Sequence, residues 1–133
     1  MSVSFEATFP STPPGVGAMR REVAAFARRA GMDEDGTSAV RLAVSEAATN
    51  AVVHAYRESR GHLHVRARVD GDELVVVVCD TGSGLAPRPD SPGLGLGMPL
   101  MATVTRRFHI ESTGQGTEVH MAFGLGPDSN AAG

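Results

Sequence analysis

The hydrophobic residues of this chain change their period halfway along it. Met19, Val23, Phe26 and Ala30 recur at the spacing of one helix face. Residues 38–56 continue as an alanine-rich helical stretch. From residue 62 onward the period drops to two. Leu63, Val65, Ala67 and Val69 alternate with His62, His64, Arg66 and Arg68, and Val119, Met121 and Phe123 alternate with Glu118 and His120. A helical half and a strand half cannot bury their apolar sides separately, so each must cover the other.

The boundaries follow from local signals. Val3, Phe5, Ala7 and Phe9 alternate as a first strand, which the prolines at 10, 13 and 14 end. A helix is predicted from about Val16 to Ala30, with Gly31 as its C-terminal cap. A second is predicted from about Ser38 to Tyr56, with Asp33, Asp35, Thr37 and Ser38 as candidate starts. Asp70-Gly71-Asp72 joins two strands, the second being the apolar run Leu74–Cys79. Phe108 and Ile110 belong to a fourth strand, and a turn at Gly114–Gly116 leads to a fifth. The expected class is α+β: a two-layer α/β sandwich with a mostly antiparallel mixed sheet covered on one face by helices. One domain is expected over residues 1–125, followed by a disordered tail at 126–133.

All twelve basic residues are arginine. A lysine-dependent phosphate loop, the protein-kinase fold with its strand lysine, and Schiff-base chemistry are therefore excluded. The net charge of −3 gives no general attraction to nucleic acid or to an anionic membrane. The longest apolar run, residues 74–79, is far too short to span a bilayer. With no apolar signal core near Met1 and a single cysteine, Cys79, the expected location is the cytoplasm.

Three features carry chemistry. Asp80 ends the most apolar strand and is followed by Gly82 and Gly84, so a planar ligand could approach its carboxylate closely; a simple turn-forming aspartate has the same sequence. Gly93, Gly95 and Gly97 precede a short helix predicted at 98–104, an arrangement that suits phosphate oxygens or an unliganded loop. Glu46 and Asn50 lie four apart on one face of a largely apolar helix. An amide oxygen with a carboxylate nearby can hold Mg²⁺ and a base, or the face can simply be solvated.

Taken in order, these stretches resemble a known family. Glu46-Ala47-Ala48-Thr49-Asn50, Asp80-Thr81-Gly82-Ser83-Gly84, Gly93-Leu94-Gly95-Leu96-Gly97 and Gly114-Gln115-Gly116-Thr117 together look like the GHKL ATPase superfamily with its Bergerat nucleotide fold. Within it, Ser45–Tyr56 and Gly15-Val16-Gly17-Ala18-Met19-Arg20 resemble the bacterial anti-sigma-factor serine kinases. The resemblance spans residues from about 3 to 123. It implies ATP and Mg²⁺ as cofactors, with Asn50 as Mg²⁺ ligand and Glu46 as general base. It implies that Asp80 hydrogen-bonds the adenine amino group and that Thr117 supports it. Gly82 and Gly84 would lie against the base, and Gly93, Gly95 and Gly97 around the phosphates. Arg20 would lie on the partner and phosphate side. The implied reaction is phosphorylation of a serine of an anti-anti-sigma protein, by a kinase that otherwise sequesters a sigma factor. A homodimer is common in that family.

The segment between Gly84 and Gly93 departs from the pattern, having eight residues that include Pro87, Pro89 and Pro92. A lid this short and stiff leaves open a nucleotide-binding regulatory module with weak or no kinase activity. Asp80-Thr81-Gly82-Ser83 also looks like the active-site turn of aspartic proteases, although long helices are foreign to that fold. The ATP-binding half of a sensor histidine kinase shares the fold, but 133 residues leave no room for a dimerisation helix bearing a phospho-acceptor histidine. His62 and His64, with His120 as a candidate neighbour, lack an evident third ligand for zinc. His54 is expected to pack or hydrogen-bond, and Cys79 to be a small buried hydrophobe.

Overall fold

A computed structural model describes residues 3–58, 61–80, 104–113 and 116–125. Five strands and two helices follow one another: β1 (Ser4–Pro10), α1 (Pro13–Arg29), α2 (Glu34–Glu58), β2 (His62–Asp70), β3 (Glu73–Asp80), β4 (Arg107–Thr113) and β5 (Gly116–Gly124). The sheet order is β1-β2-β3-β5-β4, and all four pairings are antiparallel. The expected α+β sandwich with a mostly antiparallel sheet is what forms; no parallel pair occurs among the described strands.

Both helices begin earlier than hydrophobic period predicts. Thr12 caps α1, its hydroxyl accepting from the Gly15 N–H at 3.2 Å, and prolines occupy the first turn, where no intrahelical donor is lost. Asp33 caps α2, its Oδ1 accepting from the Gly36 N–H at 2.8 Å. Caps and prolines are polar or neutral, so apolar periodicity underestimates a helix at this end. Gly31 has φ +99° just past α1, as expected of a helix-ending glycine.

The β2–β3 hairpin turns on two residues, with Asp70 paired to Glu73 and a positive φ of 63° at Gly71. A positive φ at the first central position alone is the pattern of a type II′ turn, which matches strand twist.

The core lies between the sheet and the helices. Met19, Val23 and Phe26 of α1 and Val40, Val44, Ala47 and Ala48 of α2 meet Leu63, Val65, Leu74, Val76, Val78, Met121 and Phe123 of the sheet. Each of these valine, leucine, methionine and phenylalanine side chains contributes roughly 1.5–3 kcal/mol when fully buried. The α1 helix packs on β1 and β2, where Phe5 and Phe26 stack with centroids 5.8 Å apart, and α2 packs on β3 and β5. The two described helices both pack on one face of the sheet, and no described helix is long and apolar enough to cross a membrane.

Candidate nucleotide site at the end of β3

Strand register builds one row across the sheet: Phe9, Leu63, Asp80, Thr117 and Ser112 are successive neighbours on the five strands. Directly paired residues of antiparallel strands share a face. Leu63 is fully buried beneath the helices, so Asp80 and Thr117 stand on the helix-covered face as well. Asp80 is 6% exposed, and Thr117 beside it is half-buried. A carboxylate this far from water carries a desolvation cost that a directional donor offsets. The row below is wholly apolar, with Val65, Val78, Val119 and Ile110, so Asp80 marks the point where the core gives way to polar chemistry.

Glu46 comes from α2, the helix that packs on β3 and β5. Its neighbours Val44, Ala47 and Ala48 are buried while Glu46 is half-buried, at the edge of the apolar stripe. Asn50 follows one turn later on α2, its side chain outside the described residues. A carboxylate and an amide oxygen are hard donors, the kind Mg²⁺ takes alongside phosphates and water. The donor types thus fit the ion. Gly82, Gly84, Gly93, Gly95 and Gly97, with Arg88 and the three prolines, lie outside the described residues, as does most of the short helix predicted at 98–104.

Arg20 is exposed on α1 and lines a surface groove with Arg21, Arg28 and Arg41. Sequence reading singled out Arg20 alone. Arg20, Arg21 and Arg28 are at helical spacings on α1, but only helix packing brings Arg41 of α2 to them.

The sequence profile described as the histidine kinase-like ATPase domain matches residues 9–123. The chain belongs to this family. The match spans both helices and strands β2–β5. The chain is 31% identical over 121 residues to an anti-sigma F factor of Thermoanaerobacter sp., covering 82% of this chain and 85% of that protein. It is 35% identical over 123 residues to the serine-protein kinase RsbW of Bacillus velezensis, covering 80% and 77%. Among solved structures, the RsbU and RsbW domains of a Mycobacterium tuberculosis protein superpose with a TM-score of 0.74 at 21% identity. That match covers 92% of this chain and only 32% of the mycobacterial one, and it speaks for the fold.

An ATPase domain of this family is not an aspartic protease. Seventeen residues in α1 and 25 in α2 cover the sheet, whereas small aspartic proteases are almost entirely β. The histidine arrangement also differs from the one weighed on sequence. His64 sits on β2, bonded to Glu6 at 2.6 Å and to Thr8 at 2.8 Å. His120 is two strands away on β5, where it stacks on His109 of β4. Cys79 is buried as expected, and its thiol is pushed up from the usual range by burial first and by the Glu118 carboxylate next.

Proposed function

We propose that this chain is an ATP-binding anti-sigma factor and a serine/threonine protein kinase that phosphorylates a serine of an anti-anti-sigma protein in the cytoplasm. The observation that carries the reading is the Asp80–Thr117 pair, a buried carboxylate and a hydroxyl side by side at the end of the central strands, beneath the helix that bears Glu46 and Asn50. Relatives named anti-sigma F factor and serine-protein kinase RsbW support the partner class.

In this reading Asp80 accepts a hydrogen bond from the adenine amino group, and Thr117 fixes the carboxylate. Glu46 accepts the proton of the attacking serine hydroxyl. The serine Oγ–phosphorus bond forms as the bond to the β-phosphate oxygen breaks, and ADP leaves. Asn50, through its amide oxygen, would hold Mg²⁺, which would supply charge neutralisation at the phosphates. Phosphoryl transfer depends mostly on positioning and charge stabilisation, so one base and a well-placed nucleotide suffice. Because the chain contains no lysine, cationic help at the phosphates or the partner comes from arginine, and Arg20 with its groove neighbours is the candidate. The three prolines between Gly84 and Gly93 favour one second reading: nucleotide-dependent sequestration of the sigma factor without transfer.

The test is incubation of the chain with radiolabelled ATP, Mg²⁺ and a candidate anti-anti-sigma protein. Label is expected on a partner serine, and it should vanish in Glu46→Gln while ATP binding persists. Tight ATP binding with no transfer to any partner would select the sequestration reading. Failure of the wild-type chain to bind ATP or ADP would overturn both.

A further inference from the structure

The sheet face away from the helices carries a cluster that the nucleotide site does not use. His109-Ile110-Glu111 on β4 and Glu118-Val119-His120 on β5 are mirror images in sequence about the intervening turn. Antiparallel register sets His109 opposite His120 and Glu111 opposite Glu118. With Ile110 and Val119 turned to the core, all four polar side chains emerge on the face away from the helices. The two imidazoles stack with centroids 4.5 Å apart and planes 7° apart. His120 Nε2 lies 2.9 Å from Glu118 Oε1, and His109 Nε2 lies 3.3 Å from Glu111 Oε1.

We propose that His109, His120 and Glu111 bind one divalent transition-metal ion of the Zn²⁺ type, with Glu118 orienting the His120 ring. One ligand atom from each of His109, Glu111 and His120 lies within 4.8 Å of the other two. Two ligands on a tetrahedral ion with bonds of roughly 2.0–2.1 Å stand about 3.4 Å apart, so small side-chain rotations close the set. Two imidazole nitrogens select transition metals over the oxygen-seeking Mg²⁺ and Ca²⁺. A carboxylate on a ligating imidazole is the usual support of such a ligand. Three protein ligands leave one position for water. Among the described residues, His64 is engaged by Glu6 and Thr8, and Cys79 lies opposite Glu118 on the neighbouring strand in a buried setting. The ion would clamp edge strand β4 to β5, immediately beside Thr117, which faces the opposite side of the same strand.

This site is independent of the proposed kinase activity and is tested without nucleotide. The full chain, stripped with EDTA and dialysed, is titrated calorimetrically with Zn²⁺ alone. One equivalent is expected to bind with a Kd of about 10 μM or tighter. His109→Ala, His120→Ala and Glu111→Gln should each weaken binding by at least tenfold, and Glu118→Gln by about 10–100-fold. His62→Ala, on another strand, should leave it unchanged. Circular dichroism and melting in EDTA identify any variant that lost its fold, and the isosteric Glu111→Gln keeps the test decisive if an alanine variant does. Absence of saturable binding would overturn the proposal, as would binding that survives in folded His109→Ala and His120→Ala or that is lost equally in His62→Ala.

Discussion

Asp80 on β3 lies directly opposite Thr117 on β5, on the helix-covered face, in the end row of the sheet that it shares with the core residues Leu63 and Phe9. The pair joins residues 37 positions apart, and both are placed by the same antiparallel register that aligns Val78 with Val119. The carboxylate is therefore held by the core itself rather than by a loop.

If this pair reads the adenine, Asp80→Asn exchanges a charged acceptor for an amide of the same shape. ATP affinity should fall by about 10–100-fold, the worth of a hydrogen bond to a charged group at roughly 1.5–3 kcal/mol. Thr117→Val should lose less, because it removes only the support. Calorimetric titration with ATP measures both, and an unchanged Kd in Asp80→Asn would remove the nucleotide assignment.

Two glycines of α1 should respond with opposite signs. A Cβ on Gly15 would stand 1.9 Å from the Pro10 carbonyl oxygen, which is backbone and cannot swing away. Gly15→Ala should destabilise the protein by about 1–3 kcal/mol. A Cβ on Gly17 meets only the Arg21 guanidinium, at 3.5 Å. Gly17→Ala should stabilise by about 0.5–1 kcal/mol, since glycine is a poor helix former. Urea unfolding of the two variants beside the wild type checks the contrast.

Acid should weaken the sheet where β3, β4 and the segment before β4 meet. Arg107 donates twice to Glu73 at 2.7 Å, and Arg106 once at 3.1 Å. These bonds, Arg107 first, hold the Glu73 carboxyl below its ordinary value against some desolvation. A carboxylate with a lowered folded pKa stabilises above its unfolded pKa and loses that contribution as pH falls through the folded one. Glu73→Gln should therefore be modestly less stable than wild type at neutral pH, by the small amount an exposed ion pair supplies, and equal to it in strong acid. Denaturant midpoints across the acid range follow the difference.

Cys79 should be inert in the folded protein. The residue is 8% exposed, and burial first and the Glu118 carboxylate next push its thiol pKa above the ordinary range. Thiolate is the reactive form, so alkylation should be slow in native buffer and complete after denaturation. Mass spectrometry of the alkylated chain distinguishes the two, and rapid native labelling would contradict the buried placement.

The apolar pattern made the sandwich legible: alternation in residues 63–69 and 119–123 reports one buried sheet face, and the spacing of Met19, Val23 and Phe26 reports the helix stripe that covers it. The start of α2 was legible in Asp33, one of its candidate caps, but that of α1 was not, because Thr12 acts by hydrogen bonding its own backbone, a short-range geometry that hydrophobic period does not register. The mirrored His-x-Glu and Glu-x-His triplets were visible as spacing, but alternation alone cannot say which strands are neighbours. Their meeting needs the register of β4 on β5.

By itself, the sequence determined the layer architecture, the absence of lysine-based phosphate chemistry, and Glu46 and Asn50 as neighbours on one helix face. These are consequences of periodicity and composition, which are local. Only the tertiary structure decided that Asp80 faces the helices beside Thr117, that Arg41 joins the α1 arginines, and that His120 meets His109 rather than the β2 histidines. Those pairings depend on strand order and on a register that the packing of the whole core selects, since a one-residue slip would turn every side chain of a strand to the opposite face.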